Sequence, residues 1–258
     1  MTNISSERFT AVLARTVRLS WPATTVEGSN GFGSVPTLAA GSRYIEWTVQ
    51  CRGQPDHTGY LVSITPIDAA VRAWATGWRE AIESIDCMRS LAASCAKASL
   101  PPLAGLCLRV SPQHAYHWNP DMPERLQLQV SFEFSASHRL ALPGCSDAEN
   151  HALFGKCSNA NGHGHNYRLD VTVATNPSVP NTVATLEAVV DREVMKRLDH
   201  KHLNLDCPEF ADLNPSVEHI ALVCRNLLQS PLRTERLDLI CVTVWETAKT
   251  CATVQAAG

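Results

Sequence analysis

The sequence contains no apolar run approaching the roughly 20 residues that span a bilayer, so no membrane-crossing helix is expected. It has no long basic stretch either: 22 Lys and Arg against 25 Asp and Glu leave a formal charge of −3. On electrostatic grounds nucleic acid is therefore not an expected partner. Residues 1–9 are polar, without an apolar centre, which predicts no signal peptide and a soluble, cytoplasmic protein. Ten cysteines are present but show no tight spacing code. In a chain read as cytoplasmic they are mainly buried, reduced thiols. What is present is an ordinary globular balance, 45% apolar and 18% charged, in 258 residues. That length suffices for one large or two small domains.

Patterning divides the chain into strands and helices in a recurring order. Residues 9–20 and Tyr44–Cys51 read as strands, separated by a Gly/Ser/Pro-rich stretch ending at Gly41. From Pro66, Ile67, Val71, Trp74, Trp78, Ile82 and Ile85 recur at helical spacing and predict one helix. Leu103–Val110 reads as a third strand, and residues 117–124, with two prolines, as a linker. Strands are then expected at Leu126–Ser137 and His163–Val173, joined by a long Gly/Asn loop. A helix near Leu186, a polar turn over Leu198–Asn204 and a helix capped by Ser216 follow. Leu237–Trp245 and Cys251–Gln255 close the pattern as strands.

The order is read as strand-strand-helix-strand-strand twice, with the last strand of the first copy not delimited, which suggests a duplicated unit. Residues 134–143 (FSASHRLALP) align with residues 13–22 (LARTVRLSWP), and the segment ending at Tyr167 with the one ending at Tyr44. In that alignment Val17 stands in place of His138, and Ala40 and Ser42 stand in place of His163 and His165. The expected division is residues 1–120, a repeat without a metal site, and residues 121–258, the active domain.

The chemistry gathers in the second half. His163 and His165 share strand parity with Tyr167, Leu169, Val171 and Val173, so both imidazoles project from one face. His138 ends the strand expected beside them, and three neutral imidazoles suit zinc with a fourth position open. Gly162 and Gly164 permit close backbone approach. Cys157 lies in a polar segment beside Lys156, where a cation favours thiolate. It can act as base or nucleophile beside the metal, or close the site as a fourth ligand; spacing alone leaves both open. Asp199 and His200 can form a proton relay with Cys157, whereas His202 reads as expendable. Glu246, ending an apolar strand, can accept two hydrogen bonds from an amino-heterocycle. Glu218 is explained by the helix dipole alone.

Residues 134–140 (FSASHRL), 154–167 (FGKCSNANGHGHNY), 198–204 (LDHKHLN), 216–219 (SVEH) and 245–247 (WET) occur in the order found in the 6-pyruvoyl-tetrahydropterin synthases, which the chain resembles over about residues 126–250. The resemblance implies an α+β tunnelling fold, in which antiparallel ββααββ units associate into barrels. It implies zinc on His138, His163 and His165, with Cys157, Asp199 and His200 transferring protons. Glu246 would anchor a pterin, helped by Glu218 and Ser216. The implied reaction converts 7,8-dihydroneopterin triphosphate to 6-pyruvoyl-tetrahydropterin with loss of triphosphate. The five-residue gap from Cys157 to His163 resembles these synthases. The related 6-carboxytetrahydropterin synthases of queuosine and other deazapurine pathways, usually with a shorter gap, rank second. A non-catalytic pterin-binding protein with structural zinc is the third reading. Ser216-Val217 and Thr185 depart from the family's usual Thr-Thr and Asp or Asn. Three tandem chains would supply six units, so a homo-oligomer, a trimer resembling the family's hexamer, is expected.

Overall fold

The computed structural model describes residues 9–23, 41–175 and 181–256. The chain divides into two compact units between Gln127 and Leu128. Ala40, aligned above with a metal ligand, lies outside the described residues.

The first unit has the order β1 (Ala11–Trp21), β2 (Arg43–Gly53), α1 (Ile64–Gly77), α2 (Ile85–Lys97), β3 (Leu103–Arg109) and β4 (His114–Trp118). Its four strands pair antiparallel in chain order. Alternation puts Val17, Leu19, Ile45, Trp47 and Val49 into the core, which they share with Ile67, Val71 and Leu91 of the helices. Trp74 stacks between Trp21 and Trp78 and takes the edge of Trp47 at 5.4 Å.

Two expectations fail in this unit. The helix predicted from Pro66 to Ile85 is two helices: Trp78 turns extended after Gly77, and Ser84 starts α2 by accepting from the Cys87 N–H. Ile82, which prolonged the apolar stripe, is buried in the connection instead. The linker expected at residues 117–124 begins after Trp118, because that residue ends β4 with its ring in the core. The alignment of the halves also needs a shift. Tyr44 is exposed and Ile45 buried, whereas Tyr167 is buried, so pairing Tyr44 with Tyr167 mates opposite faces of the two strands. With a one-residue shift, His163 and His165 fall on Gly41 and Arg43, and the Arg43 guanidinium pairs with Glu83 at 2.6 Å.

The second unit repeats the ββααββ order with insertions. β5 (Leu126–His138) is followed by α3 (Asp147–Phe154), a tight 3-10 turn over Gly155–Ser158, and β6 (His163–Ala174). Helix α4 (Thr182–Val190) widens into a π-turn at Asp191–Met195 and leads to the two-residue β7 (Lys201–His202). Helix α5 (Val217–Thr234), β8 (Asp238–Thr247) and β9 (Thr250–Gln255) complete it. The sheet order is β5-β6-β8-β9, with β8 antiparallel to β6 and to β9, and β7 parallel to β5. Tyr167, Leu169, Val171 and Val173 are fully buried beside Val242 and Val244, as the strand parity predicts. Each unit is therefore α+β with a ββααββ order.

The Gly/Asn loop expected between β5 and β6 begins as a helix. Ser146 accepts from the Glu149 N–H while the Glu149 carboxylate accepts from the Ser146 N–H, a capping box that starts α3. Among the described residues no helix is long and apolar enough to cross a membrane.

Candidate metal centre and its surroundings

Three strand positions bring the imidazoles together. His138 ends β5, while His163 and His165 begin the adjacent β6 on its inward face. The ring centroids lie 4.5, 4.8 and 5.2 Å apart, and one nitrogen from each ring falls within 4.8 Å of the others. Beneath them Tyr167, stacked on Phe134 at 5.0 Å, forms an apolar floor. Burial pushes its phenol well above the ordinary range.

His138 is fully buried, and its Nδ1 lies 2.7 Å from the Pro215 carbonyl, just before the Ser216 cap of α5. A carbonyl accepts only, so Nδ1 carries the proton and Nε2 presents its lone pair to the cluster. Nε2 lies 3.1 Å from His163 Nε2, while His163 Nδ1 and His165 Nε2 are buried without hydrogen-bond partners. If His163 protonates Nε2 to make that contact, its Nδ1 is left as a bare buried acceptor. A cation shared by the two facing Nε2 lone pairs takes the place of that contact, so the donor set fits a metal ion.

Burial, and secondarily the neighbouring imidazoles, pushes His138 down to about 4; burial also lowers His163. For His138 the unfolded chain binds more protons between pH 4 and about 6.5. Its contribution is thus complete above pH 6.5 and is lost as pH falls toward 4. Thermal melts of metal-free protein are expected to lose stability across that window, by on the order of 3 kcal/mol, and His138→Gln should flatten the profile.

Gly162 adopts φ +70° between the 3-10 turn and β6. A Cβ there would meet the His138 carbonyl oxygen at 2.9 Å and His202 Nε2 at 3.0 Å, so only glycine lets the segment close on the site. Gly164 has ordinary space around it. His202, read as expendable, borders this contact and shares a depression of about 500 Å³ with His165 and His200. The sequence offered no signal for that placement beyond its two-residue distance from His200.

Cys157 sits on the 3-10 turn, and its carbonyl accepts from the Leu140 N–H at 2.9 Å. The Arg139 guanidinium ties the same turn to α3 by donating to the Ser158 carbonyl and Asp147. Cys157 and His163 line a second depression, of about 600 Å³. Asp199 and His200 form a pair at 2.9 Å. The Ser135 backbone fixes that pair: its N–H donates to Asp199 Oδ1 and its carbonyl accepts from the His200 N–H. The Ser135 N–H, with a smaller contribution from His200, holds the Asp199 carboxyl below its usual range. Among the described residues no hydrogen bond joins this pair to Cys157; His200 and Cys157 border different depressions flanking the triad.

Glu246 points inward from β8, with Oε1 3.6 Å from His138 Nε2 and 3.7 Å from His165 Nε2. It faces the imidazoles and keeps 21% of its side chain exposed. Ser216 caps α5 by accepting from the His219 N–H. The Glu218 backbone N–H and the Ser216 hydroxyl hold the Glu218 carboxyl below its usual range. Among the described residues neither side chain makes a hydrogen bond or ion pair with the triad.

The profile of the 6-pyruvoyl tetrahydropterin synthase family matches residues 127–257. A 6-pyruvoyl tetrahydrobiopterin synthase of Pongo abelii is 46% identical over 114 residues, covering 42% of this chain and 79% of that protein. The Homo sapiens enzyme of the same name is 45% identical over the same length and shares. The solved structure of Caenorhabditis elegans 6-pyruvoyl tetrahydropterin synthase aligns with TM-score 0.48 at 32% identity, over 52% of this chain and 96% of that one. The family match defines an enzyme of the carbon–oxygen lyase class, and the second unit contains a three-histidine cluster able to hold a metal. The chain belongs to the 6-pyruvoyl tetrahydropterin synthase family, whose match spans its second unit.

Proposed function

We propose that this chain converts 7,8-dihydroneopterin triphosphate to 6-pyruvoyl-tetrahydropterin with release of triphosphate, at one zinc site per chain. The observation that carries the reading is the convergence of His138, His163 and His165, one nitrogen of each within 4.8 Å of the others, which fits a cation. Zinc held there would act as a Lewis acid on the side-chain oxygens of the substrate and acidify the neighbouring C–H and O–H bonds.

The surrounding residues take complementary roles. Cys157, on one flank, removes a proton from the substrate side chain. His200, oriented by Asp199 on the other flank, moves protons to and from it. A substrate lying over the triad touches both depressions, so the two groups need not touch each other. Glu246 accepts hydrogen bonds from the ring N–H groups of the pterin, and Ser216 and Glu218 at the start of α5 assist. Residues 1–120 act as a repeat without a metal site and residues 121–258 as the active domain. Three chains associate so that six units complete the ring.

The test is incubation of zinc-loaded protein with 7,8-dihydroneopterin triphosphate. Triphosphate release and a product with the mass of 6-pyruvoyl-tetrahydropterin are expected. No release would sink the proposal, and the mass of 6-carboxytetrahydropterin would reassign the product. A zinc content near two per chain would contradict a metal-free first repeat.

A further inference from the structure

Asp170 is a buried carboxylate to which no step above assigns a role. It lies on the face of β6 opposite the imidazoles and gathers three strands. Oδ1 accepts from the Ser131 hydroxyl of β5 at 2.6 Å, and Oδ2 accepts from the Trp245 indole N–H of β8 at 2.9 Å. The Arg168 guanidinium contacts Oδ1 at 3.3 Å and lies over the Trp245 ring at 4.4 Å. Trp245 is thus held at its edge and its face.

The residue it holds in register is Glu246. β8 pairs Trp245 with Cys251 and Thr247 with Thr250, so Glu246 is a bulged residue with no partner on β9. A bulge removes ladder support locally, just where Glu246 carries the inward parity of Val242 and Val244 on to His138 and His165. The strand carrying it is fixed just beforehand by Asp170, through Trp245.

We infer that Asp170 and Trp245 are positioning residues that clamp the β8 bulge and so set the aim of the Glu246 carboxylate at the pterin ring. The inference rests on Glu246 holding that ring. Ring binding therefore depends on a hydrogen bond made on the opposite face of the sheet.

The experiment compares Trp245→Phe, which keeps a ring but removes the N–H, with Asp170→Asn, Glu246→Gln and the double variant Trp245→Phe/Glu246→Gln, all in the metal-loaded full chain. Trp245→Phe is expected to raise KM for the pterin substrate roughly tenfold, with kcat and metal content unchanged, and Asp170→Asn to do the same. In the Glu246→Gln background Trp245→Phe should add nothing, because both act through one contact. Fully additive effects, or a fall in kcat with KM unchanged, would overturn the clamp as a positioning device. A normal KM for Trp245→Phe beside a raised KM for Glu246→Gln would overturn it while sparing the role of Glu246. A normal KM for Glu246→Gln would remove that role, and the clamp's function with it. Should Asp170→Asn fail to fold, the Trp245→Phe cycle decides alone.

Discussion

Cys157→Ala is expected to keep its zinc and lose turnover by roughly 10²–10⁴-fold, the range removed with a general acid or base. The sequence allowed two roles for this thiol, fourth ligand or proton-transfer group, and the two predict opposite metal contents. The structure bears on the choice through the ligand atoms: those that converge within 4.8 Å are the nitrogens of His138, His163 and His165, without the Cys157 sulfur. The thiol instead borders the depression it shares with His163. Elemental analysis of the purified variant, paired with single-turnover product formation, reads both quantities. Loss of zinc along with activity would return Cys157 to the ligand set.

His163→Ala is expected to abolish both metal binding and activity. Removing a group that merely orients a ligand weakens metal affinity about 10–100-fold, so removing a ligand should exceed that. His163 is the cleaner choice over His138. The His138 ring is fully buried and bonded to the Pro215 carbonyl, so truncation there would also open a cavity and strand a buried acceptor, costing about 1–3 kcal/mol for the acceptor alone. His163 is only partly buried and has no such second bond. Zinc titration monitored by competition with a chromogenic chelator measures the loss. Retention of stoichiometric zinc by His163→Ala would refute the three-histidine site.

The parts of the site legible in the sequence are those governed by local periodicity. The parity of β6 placed His163 and His165 on the face of Tyr167, and Ser216 announced the start of α5. Other parts depend on signals that compete over short distances. The stripe from Ile67 to Ile85 continued the helical period through a break set by Gly77 and the Ser84 cap, since Ile82 finds an apolar home without being helical. The Ser146–Glu149 box was present in the sequence but masked by the Gly and Asn residues around it. The comparison of the halves slipped by one residue because Tyr44 and Tyr167 share a letter and not a face. The inward aim of Glu246 follows the parity of Val242 and Val244, which was legible; its missing partner on β9 was not, because pairing register is a property of two strands.

The bond from His138 to Pro215 spans 77 residues of chain and ends one position before the cap of α5. The partner atom is a carbonyl oxygen, which only accepts, so the contact has a fixed direction and the neutral His138 ring carries its proton on Nδ1. Metal binding at the cluster is therefore expected to tighten the seating of α5. Amide-exchange protection in the first turn of α5, measured with and without metal, is expected to rise with metal and so to report the ion from outside the coordination sphere.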